Sequence, residues 1–438
     1  MNVRKTWPLL AAVAAVGYLL LPYRLVIAAE PAAAAAAAKD RAAPLTLSRA
    51  LALALKHNPE LSAFSHELRA SEAAVLQAGV LPNPVLELEA DNLDNNRLRQ
   101  DGDRTTAIQI GQLIELGGKR TARIRMAEAG RDLANWDYEA KRIDVLSRVS
   151  QHFIDTVAAQ QARELAAESL KLARNVAAAV ARRVQAGKVS PIEETKARLA
   201  LSAAQIEAEQ AERQLAAARR NLSSMWGNTA PAFTSAAGDL EKLPALPGYE
   251  QLAGRIRDNP DLARWNTEIT LRQAAVEAEK AKAIPDITVS VGRRRFSQFE
   301  DHAYMVGLSI PLPLFDRNRG GILAAHRQLD RAMDEQRAAE NRLLAELAQN
   351  FQRLSAIHAE IATLRSDILP GARSAYEGAT RGYQLGKFGI LDVLDAQRTL
   401  FQARAQHLKA LADYHRGSND LERLIGGPID GSTVSRKP

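Results

Sequence analysis

Thr106-Ala107-Ile108-Gln109-Ile110-Gly111-Gln112-Leu113-Ile114-Glu115-Leu116-Gly117-Gly118-Lys119 changes its period partway along. Up to Leu116, Ile108 and Ile110 alternate with Ala107, Gln109 and Gly111, the two-residue period of a strand with one apolar face. From Lys119 there is no proline before Pro191, and Gly130 is the one glycine before Gly187. That stretch, Lys119 to Ala186, predicts a helix of ~100 Å at 1.5 Å per residue. Gly187 ends it, and Pro191 opens a second helix that runs to Met225.

Working outward, Val85–Asp91 sets Leu86, Leu88 and Ala90 against Glu87, Glu89 and Asp91, so a strand precedes the quoted one. Before it lie a short helix with Leu47, Ala50, Leu51, Ala54 and Leu55 as its apolar stripe, capped by Thr46 or Ser48, and a longer one from Glu60 to Val80. The layout then recurs about 200 residues later, too long a period for a solenoid. Asn58-Pro59-Glu60-Leu61 returns as Asn259-Pro260-Asp261-Leu262, Gln185-Ala186-Gly187-Lys188 as Gln384-Leu385-Gly386-Lys387, and Met225-Trp226-Gly227 as Leu424-Ile425-Gly426. Ile287, Val289 and Val291 alternate with Thr288 and Ser290; Tyr304, Val306, Leu308 and Ile310 alternate with Met305, Gly307 and Ser309. The second long helix, Ile322 to Leu385, contains Pro370-Gly371 and is expected to kink there. The organisation is therefore a signal peptide over 1–29, a flexible leader over 30–44, one repeat over 45–227, a linker over 228–249, a second repeat over 250–426, and a tail over 427–438.

The signal peptide rests on Arg4 and Lys5, the apolar run Trp7 to Leu21, and the small residues around Ala28 and Ala29. The run is short for a bilayer helix, which needs ~20 residues. The formal charge of +7 is in part a targeting feature, since cleavage after Ala29 would remove Arg4, Lys5 and Arg24 with the signal. The chain has no cysteine, which excludes disulfides, thiol catalysis and thiolate metal sites. Its eight histidines (His57, His66, His152, His302, His326, His358, His407, His415) include no i,i+3 or i,i+4 pair, so no metal site, cofactor site or catalytic constellation is expected. Gly111 to Lys119 lacks the Lys-Ser/Thr ending of a phosphate loop. Arg293-Arg294-Arg295 is isolated as a nucleic-acid patch and is read as a solvated loop after a strand; at an outer rim it would face lipopolysaccharide phosphates.

The lengths decide the architecture. The helices before the strands and after the Gly187 tip are each ~50 Å, so end to end they match one ~100 Å helix. Heptad-spaced Ile192, Leu199 and Ile206, then Leu215 and Leu222, and Leu394, Phe401 and Leu408 suit packed helical hairpins. Strands of 7 to 11 residues with one apolar face match those of a membrane barrel. Four strands cannot close, and an open edge cannot sit in lipid, so the chain must oligomerise. Three copies give twelve strands, within the range of outer-membrane barrels. The expected fold is mainly α with β: a trimeric barrel of four strands per chain, continued by a long α-helical barrel.

The runs Leu81-Pro82-Asn83-Pro84, Gln112-Leu113-Ile114-Glu115-Leu116-Gly117-Gly118-Lys119-Arg120 and Gly382 to Gln397 carry a resemblance. Over essentially the whole mature chain, the sequence resembles the TolC-like outer-membrane efflux factors, most closely their CzcC-like heavy-metal branch. That resemblance implies a homotrimeric duct in the outer membrane of a Gram-negative bacterium. The duct would meet outer-membrane lipid, reach into the periplasm, and work with a periplasmic adaptor and an inner-membrane proton-driven RND-type pump, without covalent chemistry or nucleic acid. It also implies adaptor-contact tips at Gly187, Lys188, Val189 and Ser190, and at Gly386, Lys387, Phe388 and Gly389. The closed aperture is implied at Asp392 and Asp395, with Tyr383 in the gate region. Phe388 departs from the family's basic latch residue, and Glu193 takes the acidic position opposite. Relatives anchored by a lipidated cysteine differ from this chain, which would hold the membrane by its barrel. Alternative readings are a multidrug or type I secretion duct and, in a different class, a periplasmic coiled-coil scaffold.

Overall fold

A computed structural model of the chain describes residues 44–91, 105–296 and 300–429. The signal segment, the leader up to residue 43 and the tail beyond residue 429 lie outside the described residues. In chain order the elements are β1 (Leu45–Thr46), α1 (Leu47–His57), α2 (Pro59–Ala78), β2 (Val85–Asp91), β3 (Thr105–Ile114), α3 (Lys119–Gln185), α4 (Pro191–Ser224) and β4 (Ala236–Ala237). They continue with α5 (Tyr249–Arg255), α6 (Pro260–Lys282), β5 (Ile287–Phe296), β6 (Asp301–Ser309), α7 (Arg319–Thr363), α8 (Leu369–Gln384) and α9 (Ile390–Leu424).

The motifs that recur in the sequence are the ones that touch in space. Asn58 accepts from the Leu61 amide at 3.0 Å, capping α2, while its Nδ2 donates to the Met225 carbonyl at 2.7 Å at the end of α4. Asn259 does the same in the second copy: its Oδ1 accepts from the Asp261 amide at 2.7 Å and its Nδ2 donates to the Leu424 carbonyl at 2.9 Å. Both asparagines are buried, so each satisfies two backbone groups that helix termini would otherwise leave unpaired. The chain leaves each junction through Gly227 and Gly426 at φ 74° and 69°, a conformation glycine adopts without steric cost.

The main core joins α1, the middle of α3, the linker, α7 and α9 through Val145, Val149, Phe153, Leu347, Leu354, Leu411 and Tyr414. Tyr414 is fully buried and donates its hydroxyl to the Pro244 carbonyl at 2.7 Å, the partner that burying a phenol requires. The linker is thus more than a join: β4 pairs in parallel with β1, and Phe233 and Leu240 enter the core.

Strands β2, β3, β5 and β6 form one antiparallel sheet in that order. Directly opposed residues share a face. One face is apolar over Leu86, Ile110, Val291 and Val306, and again at Leu88 and Ile108; the other carries Glu87, Glu89, Gln109 and Ser290. Close packing against β3 explains Gly292, where an added Cβ would meet Gln109 at 2.6 Å. The Arg293-Arg294-Arg295 run lies inside β5 and not in a loop, because the strand extends to Phe296. Among the described residues, β2 and β6 pair on one side only.

The sheet is fastened to the helices by the residues that follow β3. The Leu116 amide donates to Asp286 at 3.0 Å, Lys119 pairs with Asp286 at 2.7 Å, and Arg123 bridges Glu115 while donating to the Ala78 carbonyl at 2.9 Å. Arg123 holds the Glu115 carboxyl below the usual carboxylate range. Both long helices start on a left-handed residue, Gly118 (φ 73°) in one repeat and Asn318 (φ 51°) in the other. Asn318 fits there because its Nδ2 donates to the Glu279 carbonyl at 2.8 Å. The expected kink in the second repeat appears as one widened π-turn, Leu364–Ile368, ahead of Pro370. No helix among the described residues is long and apolar enough to cross a membrane.

Candidate aperture and helical hairpin tips

Each repeat folds its long helix back through a glycine turn. At the first tip, Gly187 is left-handed at φ 65°, its amide bonds the Val184 carbonyl at 2.8 Å, and the Lys188 amide bonds the Arg183 carbonyl at 2.9 Å. At the second, Gly386 has φ 73°, with Gly386 to Tyr383 at 3.1 Å and Lys387 to Gly382 at 2.8 Å. This is the Schellman pattern, in which amides beyond the helix satisfy its last carbonyls. The returning helices are capped differently. Ser190 Oγ accepts from the Ile192 amide at 3.4 Å ahead of Pro191, whereas Asp392 reaches back to accept from the Gly389 amide at 2.9 Å.

Asp392 and Asp395 are brought to one exposed face of α9, opposite the buried Ile390, Val393 and Gln397. Their carboxylates are already engaged within the chain: Asp392 as the cap, Asp395 with Arg398 at 2.6 Å. Tyr383 stands elsewhere, packed against a second small core of Ala177, Val180, Ala197, Ala379, Ile390 and Val393 between the two hairpins. Arg183 lies 4.4 Å from its ring centroid and donates to its carbonyl at 3.3 Å. This contact ties the first hairpin to the second at the tips, and no local sequence pattern marks Arg183. Phe388 lies over Gly382, where an added Cβ would fall 2.0 Å from its ring; the glycine is the condition for that packing. Glu193 Oε2, Tyr383 Oη and Gln397 Oε1 are buried with no hydrogen-bond partner among the described residues.

A cavity of about 880 Å³ opens along α3, α4 and α9, lined by Ala162, Ala166, Ala173, Ala204, Leu394 and Phe401. The same cavity is also lined by Asp155, Glu207, Asp395, Arg398, Lys409 and Arg416, and no group of three or more His, Asp or Glu side chains among the described residues is placed to hold a metal ion.

Residues 50–228 and 255–427 match the family described as outer membrane efflux protein. The chain is 40% identical over 388 residues to the cobalt-zinc-cadmium resistance protein CzcC of Cupriavidus metallidurans, covering 89% of this chain and 91% of that one. It is 29% identical to the nickel-cobalt-cadmium resistance protein NccC of Alcaligenes xylosoxydans xylosoxydans, over 72% of this chain and 70% of the other. The fold resembles a membrane protein from Pseudomonas aeruginosa (TM-score 0.76, 20% identity, 87% and 92% coverage) and the open-state MtrE outer membrane channel of Neisseria gonorrhoeae (TM-score 0.74, 18% identity, 87% and 89% coverage).

Proposed function

This chain belongs to the outer membrane efflux protein family, and from that premise we propose that three copies close into one duct that carries divalent heavy-metal cations out of the cell. It is an outer-membrane channel component of a tripartite efflux system, extending into the periplasm. The observation that carries the trimer is the sheet itself: its apolar face is open, with Leu88 71% and Val306 81% exposed, and its two edge strands lack neighbours among the described residues. Such edges are tolerated in lipid only when another strand covers them, and pairing β2 of one copy with β6 of the next closes the ring. A second open surface agrees. Ile192, Leu199 and Ile206 form a heptad-spaced stripe on α4 that stays exposed, while Ala197, Ala204 and Ala211 face the chain's own helices.

In that assembly the sheet is the outer-membrane barrel, the long helices are the periplasmic tube, and the Gly187 and Gly386 tips meet the adaptor of an RND-type pump. Asp392 and Asp395 from three chains ring the aperture and favour cations over anions, as carboxylate rings do in cation pores. Asp395 is moderated by its own Arg398. The duct does no covalent chemistry. Heavy-metal cargo is supported by similarity to CzcC over nearly the whole of both chains.

A strain lacking the gene tests the cargo. Growth on zinc, cobalt and cadmium should fall and be restored by the intact gene. Unchanged metal tolerance together with new drug sensitivity would overturn the heavy-metal reading. In bilayers, Asp392→Ala with Asp395→Ala should reduce cation selectivity; an unchanged reversal potential would remove the aperture assignment.

A further inference from the structure

Arg293, Arg294 and Arg295 are adjacent in sequence, yet the sheet sends them to two faces. Arg294 shares the polar face with Glu89, at 3.5 Å. Arg293 stands opposite Ile108 and Tyr304, and Arg295 opposite Thr106 and His302, on the face that Val291 and Val306 make apolar. Both are exposed, and among the described residues neither has a hydrogen-bond or ion-pair partner.

We propose that Arg293 and Arg295 dock the phosphate groups of a lipid headgroup in the outer leaflet of the outer membrane. The proposal rests on the barrel reading above. Strand β5 follows α6 and runs away from the helices, so its last residues lie at the barrel end far from the periplasm. Arg293 is six residues beyond Ile287, ~20 Å along the strand and ~15 Å along the membrane normal at the usual tilt of ~40°. With Phe315, 99% exposed, on the helix side, the apolar band runs from there up to Tyr304 and stops at the arginines. A lipid-facing arginine is strongly disfavoured at mid-bilayer and nearly neutral at the interface. Tyr304, 87% exposed beside Arg293, is the side chain that settles at that depth, its ring in apolar surroundings and its hydroxyl in headgroups.

The chemistry selects phosphate. Two guanidinium forks on one strand face, their Cα atoms ~7 Å apart, present planar paired donors to tetrahedral oxyanions, and His302 lies across from Arg295. Free phosphate would use the same donors but gains nothing from the apolar rows directly below. A lipid fills both, acyl chains against Val291 and Val306 and headgroup against the arginines.

The test is native mass spectrometry of the detergent-purified protein with bisphosphorylated lipid A, its 1-dephosphorylated form, and inorganic phosphate as competitor. Wild type should retain the bisphosphorylated form in preference, and Arg293→Gln with Arg295→Gln should weaken that binding on the order of tenfold per lost contact. Arg294→Gln, on the other face, should leave it unchanged, and Arg293→Lys with Arg295→Lys should restore part of it. Equal retention in the double glutamine variant, an equal fall in Arg294→Gln, or full displacement by millimolar phosphate would each overturn the proposal. The same spectra report the assembly: trimers without lipid preference remove this inference alone, whereas monomers throughout remove the barrel reading and this inference with it.

Discussion

The first repeat carries its long helix unbroken from Lys119 to Gln185, whereas the second stops at Thr363, widens through one π-turn and resumes at Leu369. Pro370 accounts for the difference, since it has no amide to donate and its ring crowds the carbonyl of the preceding turn. The register that pairs Gly187 with Gly386 sets Lys171 opposite Pro370, exposed on an uninterrupted helix. Arg365, inside the π-turn, bonds Glu241 of the linker, and Glu241 also approaches the buried His407 at 3.8 Å. The two copies share a chain path but not an unbroken helix, and the linker contacts the copy that widens.

The largest way to break this asymmetry is Lys171→Pro, which gives the first helix the second helix's defect without its linker contact. Its cost is expected at about 3 kcal/mol or more, read as a lower midpoint for thermal unfolding of the detergent-solubilised protein. A midpoint equal to wild type would show that a proline alone does not distinguish the repeats. Next come the junction asparagines. Asn58→Ala and Asn259→Ala each remove a cap and leave a buried carbonyl unpaired, a loss of about 2 kcal/mol apiece that should be alike in the two repeats. A large difference between them would mean that the matching hydrogen bonds do unequal work.

The tips sharpen the contrast. Gly382→Ala should cost about 1 kcal/mol and swing Phe388 off the second tip, detectable as increased protease access at Phe388. At the matching position of the first repeat stands Arg183, so no comparable exposure is expected there.

The smallest effect concerns acid. Glu60 is pulled down to about 2 by hydrogen bonds from Arg148 and Lys141. A depressed carboxyl contributes stability that is complete above its ordinary value of 4.5 and is lost as pH falls toward 2. Glu60→Gln should therefore flatten the acid limb of the stability curve, by under ~1 kcal/mol because the pair is partly solvated. Asp261, its counterpart, lies 3.7 Å from an Arg423 that Asp144 already holds.

Much of this fold is legible in the sequence because its signals are periodic or covalent. The strand alternations at Val85–Asp91 and Ile287–Val291, the proline-free run after Lys119 and the recurring Asn-Pro pairs each impose local geometry. The contacts that hold the repeats together are less legible. Arg183 over Tyr383, Asp286 under Leu116 and Tyr414 on Pro244 join residues far apart in sequence, so no local pattern marks them. The arginine run misled for a related reason: charge suggests a loop, while pairing to Ala107 and Ile108 keeps β5 extended past it. The candidate aperture was half legible. Asp392 and Asp395 share a face by their i,i+3 spacing, whereas the inward position of Tyr383 depends on the first repeat's hairpin.

Closure of the sheet between copies is the claim on which the rest stands, and the absence of cysteine makes it directly measurable. Glu87→Cys on β2 can be combined in turn with Asp301→Cys, Ala303→Cys, Met305→Cys and Gly307→Cys on β6. All lie on the polar face. Within one chain these strands are separated by β3 and β5, ~14 Å at the usual strand spacing, too far for a disulfide. After oxidation, one combination should run as a covalent trimer on a non-reducing gel and return to monomer on reduction. Monomer across the whole series, in protein that keeps its native helix content, would contradict the account.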